Sequence, residues 1–418
     1  MTAAPDPGPF LLGVNYWPRR KAMYWWGDFD AAEVADEFDL IESIGMNVVR
    51  LFLLWDDWQP TPDVVSSERL RDFGVVCDVA ADRDLGLDVT FFTGHMSGPN
   101  WSPGWLLDPG AALHPAPDVR QVVSGGQVVD SPYRNMFHDP TALEAERLLL
   151  STVVESYKDH DAIWMWNLGN EPDLFAQPRT AAEGRAWVRG MTGLIHDLDP
   201  DHPVTTGLHT ASLFNDNGFR VDEVYAESDV AVMHGYPMYV DWARGGLDPD
   251  FVPYLCALVT ALSGKPCLAE EWGGCTSPDT EDSIVWEWTA YGSARSQFMA
   301  GESEFAAYVG EVLPRLVEVG STGAFLWCFA DYAEGLWDRP PCDPGGAKHE
   351  RHFGLIRPDG SLKPHADVIR DFAESGPMVE KAAKTVTLDI TPEEYYLDPW
   401  AHAQRLYTAY LAEGSGHQ

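Results

Sequence analysis

The feature that most constrains this chain is the alternation of short apolar runs with amphipathic helical stretches. Several runs are continuous, such as VVRLFLLW and GAFLWCF, which is typical of strands covered on both faces. Such alternation predicts parallel strands joined by crossover helices, and eight units of this kind make a (β/α)8 TIM barrel. The predicted strands are Phe10–Asn15, Asn47–Leu54, Leu87–Thr93, Ile163–Leu168, Pro203–Leu208, Val230–His234, Pro266–Glu270 and Gly323–Cys328.

Helix boundaries support this assignment. Asp30 is placed to cap the first helix, with Glu33 three residues later in a capping box, and Gly45 follows the helix where a left-handed residue is favoured. Asp139 followed by Pro140 is a second helix start, and that helix leads into the fourth predicted strand. Each helix therefore connects consecutive strands, as a barrel requires.

The 418 residues allow one large barrel or two ordinary domains. We predict an α/β catalytic barrel over residues 8–375 and a C-terminal helical extension over residues 376–418 that packs on it. Two long connections, residues 96–138 and 331–353, leave the C-terminal ends of strands three and eight. Active sites of barrels form on that face, so we expect both connections to wall or cover a cleft.

Composition restricts the class of partner. The formal charge of −37 predicts repulsion from nucleic acid and from anionic membranes, and no apolar stretch reaches the length of a membrane span. The N-terminal segment lacks the pattern of a secretory signal. Six irregularly spaced cysteines, two of them in predicted core strands, suggest reduced thiols. These features predict a cytoplasmic protein; they leave the oligomeric state open.

Tryptophan is abundant in stretches predicted to be loops. Because indole offers a flat apolar face and one N–H donor, tryptophans suit the apolar faces and polar edges of sugar rings. We therefore predict a cleft that includes Trp17 and Trp101 as carbohydrate-binding residues. The same expectation covers a larger set of loop tryptophans: Trp17, Trp25, Trp26, Trp55, Trp58, Trp101, Trp105 and Trp272.

Two glutamates end predicted strands that face each other across a barrel mouth. Glu171 lies in WMWNLGNEPD after strand four, and Glu271 lies in KPCLAEEWGG after strand seven. Hydrolysis of a glycosidic bond needs two carboxyl groups that flank the anomeric carbon. Glu270 competes with Glu271, but side chains alternate along a strand, so only one of the pair is expected to enter the mouth. Glu270 is then expected either to contact the site residues without touching the substrate or to pair with a cation behind the strand.

The Asn-Glu-Pro after strand four and the Glu-aromatic-Gly after strand seven resemble the clan of retaining glycosidases that includes glycoside hydrolase family 5. The resemblance covers residues 10–373. It implies that Glu171 is the acid/base and that Glu271, rather than Glu270, is the nucleophile.

The same resemblance implies a set of supporting and sugar-binding residues. Their expected roles are Arg50, at the end of strand two, as support for the nucleophile, His95 in the sugar site, Asn170 on the sugar 2-hydroxyl, His234 paired with Tyr236, whose hydroxyl binds the nucleophile, and Trp327 as the platform beneath the sugar.

A metal site is not predicted. The segment from His349 to His352 does not have the spacing of a zinc hydrolase, and Cys342 adds a third potential ligand without a recognised pattern. No phosphate-binding loop, dinucleotide fingerprint or serine elbow stands in a fitting context. We therefore expect neither metal nor cofactor.

The resemblance implies double displacement through a covalent glycosyl-enzyme, with Glu171 held protonated near neutral pH by burial and by the charge of Glu271. The opening GVNYWPRRKAMYWW is most similar to bacterial exo-β-mannosidases of the family, which act on short oligosaccharides such as Man-β-1,4-GlcNAc. Three alternatives are carried: an endo-β-1,4-mannanase, a β-glucanase or β-glucosidase, and a non-catalytic carbohydrate-binding barrel.

Overall fold

A computed structural model describes residues 8–111, 121–278 and 280–413. Its central feature is one sheet of eight parallel strands in the order β5-β4-β3-β2-β1-β8-β7-β6. The strands are β1 (Leu11–Asn15), β2 (Val48–Leu54), β3 (Gly86–Thr93), β4 (Ile163–Asn170), β5 (Val204–Gly207), β6 (Ala231–Gly235), β7 (Cys267–Gly273) and β8 (Gly323–Trp327). All eight lie where the sequence predicts them.

The sheet closes between β5 and β6. The amide of Asp229 donates to the Val204 carbonyl at 2.8 Å, and the amide of His234 donates to the Leu208 carbonyl at 2.9 Å. The Thr205 hydroxyl also donates to the Val230 carbonyl at 2.9 Å. These contacts join the two ends of the strand order, so the predicted (β/α)8 barrel is confirmed.

One helix follows each barrel strand. These are α1 (Ala31–Ser43), α2 (Ser67–Ala81), α3 (Pro140–Tyr157), α4 (Ala181–Leu198), α5 (Val221–Tyr225), α6 (Phe251–Ser263), α7 (Glu302–Glu318) and α8 (Pro364–Glu374). Shorter helical turns lie in the connections: Ala22–Asp28, Trp55–Trp58, Pro172–Phe175, Thr210–Phe214, Pro237–Tyr239, Glu334–Leu336 and Lys348–His352.

The start of α1 differs in one detail from its prediction. Asp30 caps the helix by accepting from the amides of Ala32 at 3.0 Å and Glu33 at 3.3 Å. The Glu33 side chain pairs with Arg20 at 3.0 Å instead of returning to the cap. The predicted capping box is therefore wrong in its second half, because a nearby guanidinium attracts the carboxylate more strongly than a backbone amide. Gly45 is left-handed, with φ +85°, as predicted.

Three long connections rise above the C-terminal ends of the strands. Two are those predicted after β3 and β8; part of the first, residues 112–120, lies outside the described residues. The third, after β7, was not predicted. It contains an antiparallel hairpin of Ile284–Ala290 and Ser293–Met299, joined by Tyr291 and Gly292 with φ of +52° and +78°. Two consecutive positive φ values match the tight turn that suits hairpin twist.

The chain continues beyond α8 into two further helices, α9 (Pro392–Tyr395) and α10 (Pro399–Glu413). Thr391 and Glu394 form a full capping box at the start of α9. The hydroxyls of Tyr395 and Tyr396 donate to the carbonyls of Leu213 and Ser212 at 2.8 and 2.9 Å, so this segment packs beside the β5–α5 connection. Residues 414–418 of the expected extension lie outside the described residues.

All six cysteines are buried, and none forms a disulfide. This agrees with the reduced thiols expected from their spacing. Within the described residues, no helix combines the length and the apolar content that crossing a bilayer requires.

Candidate active site

Glu171 lies at the end of β4, where the strand turns into the short helix Pro172–Phe175. Its backbone is left-handed, with φ +45° and ψ +55°, a region that costs free energy for a residue with a side chain. Its amide donates to the Gly207 carbonyl on β5 at 2.9 Å, which ties the strained residue to the neighbouring strand. The local fold thus holds the carboxyl at the barrel mouth.

Glu271, on β7, is held by one cation and one hydroxyl. Arg50 donates from Nη1 to Oε1 at 2.6 Å, and Tyr236 donates to Oε2 at 3.0 Å. Burial raises the pKa of Glu271 above its ordinary value, although the charges of His234 and Arg50 lower it. The two donors favour the ionised carboxylate and fix its orientation.

Arg50 is fully buried and joins several strands. Besides Glu271, it donates to Thr90 Oγ1, Asn15 Oδ1 and Asn170 Oδ1, each at 3.0 Å. It is the third residue of β2, a strand that continues to Leu54. The expectation that Arg50 ends its strand is therefore wrong; the guanidinium reaches Glu271 from inside the barrel because its side chain is long.

The carboxyl groups of Glu171 and Glu271 lie close together. Within the described residues, one oxygen of each and one nitrogen of His234 all lie within 4.8 Å of one another. Retaining glycosidases hold their two carboxyl groups roughly 5–5.5 Å apart, whereas inverting enzymes need about 6.5–9.5 Å to admit a water. The observed spacing matches the shorter geometry.

His234, on β6, bridges two carboxylates. Its Nδ1 lies 3.0 Å from Glu171 Oε1, and its Nε2 lies 2.9 Å from Glu270 Oε2. Burial lowers the pKa of His234, but Glu271, Glu171 and Glu270 together raise it to about 9. The imidazole is thus positively charged at neutral pH, and both ring nitrogens donate hydrogen bonds.

A second histidine, His209, was missed by the sequence analysis. It follows β5, with Nδ1 3.8 Å from Glu171 Oε2 and Nε2 2.9 Å from Asp173 Oδ2. Burial lowers its pKa, whereas Asp173 and Glu171 raise it above the ordinary value. Asn217 also donates to Asp173 at 2.8 Å. His209 therefore lies between Asp173 and Glu171, and both carboxylates favour its protonated form.

The two histidines reverse the protonation expected for Glu171. Burial raises the pKa of this carboxyl, but His209 and His234 outweigh burial and lower the pKa below its ordinary value. The expectation of a protonated Glu171 is therefore wrong for the unliganded site. The physical reason is the pair of imidazoles, which stabilise the carboxylate more than burial destabilises it.

Glu270 points into the barrel, where it contacts His234, so the alternative that places it behind the strand is wrong. Arg50 Nη2 lies 3.5 Å from its Oε2, and Asn167 donates to its Oε1 at 2.9 Å. The pairing of β7 shifts register on both sides, between Leu268 and Glu271 towards β6 and between Ala269 and Trp272 towards β8. Such a bulge breaks the alternation of side chains, so adjacent glutamates share the interior.

The structure brings four of the expected sugar-site residues to the same mouth. Asn170 accepts from Arg50 and donates to the His95 carbonyl at 3.2 Å. The His95 Nδ1 lies 2.9 Å from Asn100 Oδ1, which fixes the ring. Trp327 ends β8 and packs edge-on against Phe52, with their ring centroids 6.0 Å apart. Together with His234, these residues surround the two carboxylates.

Trp17 and Trp101 are packed more tightly than a sugar platform allows. Trp101 is 1% exposed, and its indole donates to the Met96 carbonyl at 3.1 Å. Trp17 is fully buried and stacks face to face on Phe52 at 5.0 Å. The structure therefore does not expose either ring to the mouth.

Most of the remaining loop tryptophans pack against one another. The ring centroid of Trp26 lies 3.9 Å from that of Trp25 and 5.1 Å from that of Trp58. Trp55 packs against Trp105 at 5.5 Å. The expectation that the group lines a cleft is wrong for this cluster, because these rings fill the space beneath the first two βα loops.

One group in the described part of the chain has the spacing of metal ligands: Glu171, His234 and Glu271. A metal ion there would have to displace a proton from His234, whose pKa is raised to about 9 by three carboxylates. It would also compete with Arg50, which already neutralises Glu271. The donor set therefore fits a proton-transfer site better than a metal centre.

No protein-family profile matches the chain. Among curated proteins, it is similar to the mannan endo-1,4-beta-mannosidase A of Hypocrea jecorina, with 25% identity over 300 residues. That match covers 64% of this chain and 61% of the fungal protein. The chain thus spans less than two thirds of this relative.

Solved structures give a closer overall likeness. The exo-beta-1,4-mannosidase Op5Man5 from an Opitutaceae bacterium has a TM-score of 0.69 and 25% identity, covering 88% of this chain and 59% of that one. A GH5_18 protein from Bifidobacterium longum, solved in complex with Manβ1-4GlcNAc, has a TM-score of 0.77 and 19% identity, covering 97% and 89%. The resemblance to glycoside hydrolase family 5 and its bacterial exo-mannosidases is confirmed.

Proposed function

We propose that this protein is a retaining glycoside hydrolase that removes mannose from short β-1,4-linked mannosides, such as Man-β-1,4-GlcNAc. One observation carries the proposal: Glu171 on β4 and Glu271 on β7 present oxygens within 4.8 Å of each other. Their environments also differ. Glu271 is bound by Arg50 and Tyr236, whereas Glu171 is bound by histidines.

In the first half of the reaction, Glu271 attacks the anomeric carbon, and the bond from that carbon to the leaving oxygen breaks. Glu171 gives a proton to the leaving oxygen, so the aglycone departs as a neutral alcohol. Arg50 and Tyr236 hold the attacking carboxylate in one orientation, which lowers the entropic cost of reaching the transition state.

The proton that Glu171 delivers comes from His234 in this mechanism. In the unliganded site, His234 carries a proton on Nδ1 at 3.0 Å from the Glu171 carboxylate. Transfer along this hydrogen bond leaves neutral imidazole and a protonated Glu171. As Glu271 loses its negative charge by forming the glycosyl ester, it no longer stabilises the imidazolium, and the transfer becomes more favourable.

In the second half, water adds to the anomeric carbon while Glu171 accepts its proton and returns it along the same hydrogen bond to Nδ1 of His234. The ester bond to Glu271 breaks, and the carboxylate returns to Arg50. Two displacements at one carbon give net retention of configuration. Neither half-reaction needs a metal or an organic cofactor, because the two carboxyl groups supply the nucleophile, the acid and the base.

Contact among three loops supports exo action. A side chain added at Gly98, in the loop after β3, would come within 2.7 Å of Ala347 Cβ and 2.9 Å of Tyr291 Oη. Ala347 lies in the loop after β8, and Tyr291 lies in the hairpin turn after β7. All three long connections therefore meet on one side of the mouth, where a polymer would need an open groove.

The comparisons support a mannoside as substrate. One structural relative is named an exo-beta-1,4-mannosidase, and another was solved with Manβ1-4GlcNAc. The alternative is an endo-acting mannanase, which the name of the fungal relative favours. The contact among the three loops on one side of the mouth favours exo action over endo action.

Hydrolysis of Man-β-1,4-GlcNAc, mannobiose, cellobiose and soluble mannan tests the proposal. We expect rapid release of mannose from the mannosides, with the polymer nearly unchanged. Proton NMR of the first product should show β-mannose before it mutarotates. Mixed oligomers from mannan would establish endo action, α-mannose as first product would establish inversion, and cleavage of cellobiose alone would reject the mannoside substrate.

A further inference from the structure

Glu350 is a buried carboxyl whose burial nothing in the preceding mechanism explains. It lies in the short helix Lys348–His352, within the connection after β8, and is 8% exposed. Its Oε2 atom is buried without a hydrogen-bond partner in residues 8–111, 121–278 and 280–413. Burying an unpaired carboxyl opposes folding, so a retained one calls for a functional explanation.

The neighbours of Glu350 do not neutralise it. Its one ion-pair candidate within the described ranges is His349, whose Nε2 lies 3.6 Å from Oε1. Burial, and then the charge of His352, lower the pKa of His349 to about 3, so this imidazole is uncharged. Glu350 is therefore not half of a structural salt bridge.

Glu350 lies beside the reacting carboxylates. Burial raises its pKa to about 8, Ser97 and Trp327 lie close enough to stabilise its charged form, and Glu271 and Glu171 oppose ionisation. At neutral pH the carboxyl therefore carries a proton much of the time, so it can both donate and accept hydrogen bonds. Its closeness to Trp327 puts it at the edge of the ring on which the sugar is expected to lie.

The short helix that carries Glu350 is fixed in place. His349, which precedes Glu350 in the chain, is held by Tyr239, whose Oη lies 2.9 Å from His349 Nε2. The hairpin after β7 holds the same loop, since Trp288 Nε1 donates to the Gly346 carbonyl at 2.9 Å and the Tyr291 amide donates to the Gly345 carbonyl at 2.8 Å. A recognition group needs such support to keep its geometry.

We propose that Glu350 is a specificity-determining residue, which binds a hydroxyl group of the sugar that lies on Trp327. The inference rests on the proposed glycosidase function and deepens it by naming the group that recognises the edge of the sugar that Glu271 attacks. A sugar ring stacked on an indole face projects its hydroxyls towards the indole edge. Glu350 Oε2 then gains the partner that it lacks in the unliganded protein.

The test compares wild type with Glu350→Ala and Glu350→Gln on p-nitrophenyl β-mannoside and on its four monodeoxy analogues. We expect Glu350→Ala to lower kcat/KM on the parent sugar about 10- to 100-fold. On the analogue that lacks the recognised hydroxyl, wild type is already slow and Glu350→Ala adds no further loss. Glu350→Gln, which keeps one acceptor and one donor, should lose less than Glu350→Ala.

Thermal unfolding separates recognition from a structural role. Because Glu350 is an unpaired buried carboxyl, Glu350→Gln should leave the melting temperature unchanged or raise it. Glu334→Gln, an exposed glutamate earlier in the same loop, is the matched control and should change neither activity nor stability.

The outcomes are distinguishable. If wild type hydrolyses the parent but Glu350→Ala loses the same factor on every analogue, or loses nothing, the role of Glu350 is rejected while the glycosidase stands. A lower melting temperature for both variants with uniform loss of activity also rejects it, in favour of loop support. If wild type hydrolyses neither the mannoside nor the matching glucoside, the proposed function fails and the role of Glu350 fails with it.

Discussion

The Nδ1 atom of His234 lies 3.0 Å from Oε1 of Glu171, while the opposite nitrogen of the same ring lies 2.9 Å from Glu270. The imidazole therefore connects the proposed acid/base to a carboxylate buried in the barrel. This arrangement makes the protonation of Glu171 depend on Glu270, which is fully buried.

Replacement of either proposed catalytic carboxylate should give products that identify its role. Glu171→Ala should lower kcat by about 10²–10⁴-fold, since it removes general acid/base catalysis. With an activated aryl mannoside, added azide should restore turnover and yield β-mannosyl azide. Glu271→Ala with azide should instead yield the α-anomer, because azide replaces the nucleophile by one direct displacement. Chromatography and NMR of the azides check both, and exchanged anomers would exchange the two roles.

The pH profile of kcat/KM should be bell-shaped. The proton shared by His234 and Glu171 must be retained. Because the pKa of His234 is raised to about 9, activity should be present below that pH and lost as pH rises through it. Glu271 must be ionised, and its pKa is raised by burial, so activity should fall on acidification at a pH above the ordinary glutamate value. Initial rates from pH 4 to 10 test both limbs; an alkaline limb near pH 6.5 would contradict a charged His234.

Glu270→Gln should shift the alkaline limb without abolishing the reaction. Loss of this carboxylate removes one of the charges that raise the pKa of His234, so the limb should move to lower pH by roughly one unit or more. Glu287→Gln, on the exposed face of the hairpin, is the control and should leave the profile unchanged. Loss of activity in Glu270→Gln at every pH, with no shift, would argue that Glu270 acts only in folding.

Lys363 should be important for stability. Its Nζ donates to Asp331 Oδ1 at 2.7 Å and to Thr276 Oγ1 at 2.8 Å, and the pair is almost fully buried. Lys363→Met leaves a buried carboxylate without its cation and should lower the free energy of unfolding by about 3–5 kcal/mol.

The control for this change is an exposed ion pair on the following helix. Arg370→Met removes the partner of Asp367 and should cost about 0–1 kcal/mol. Urea unfolding followed by fluorescence compares the two variants. An equal loss of unfolding free energy in the two variants would mean that water reaches the Lys363–Asp331 pair. Partial recovery of stability in the double variant Lys363→Met with Asp331→Asn would support the unpaired charge of Asp331 as the cause.

Much of the architecture could be predicted because its signals are local. Strands buried on both faces are continuous apolar runs, and caps such as Asp139 act within one turn of helix. The hairpin after β7 was missed, although Trp286 and Trp288 alternate with polar or exposed neighbours. A half-exposed strand of that kind gives a weaker signal than a buried one.

The site was predicted less completely, because protonation and contact depend on distant parts of the chain. A motif pointed to Glu171, but nothing local indicates that His209, which follows the next strand, lies 3.8 Å away. Polar residues inside otherwise apolar strands, such as Asn15 and Asn167, were the available signal for the buried network. The bulge in β7 has no signature in the letters AEEWGG, so strict alternation misplaced Glu270.

That bulge has a mechanical consequence. Since β7 turns two successive carboxylates inward, one short piece of backbone holds the proposed nucleophile and also, through Glu270 and His234, the partner of the acid/base. The orientation of the nucleophile and the hydrogen-bond partner of the acid/base therefore both depend on the backbone geometry of this one strand.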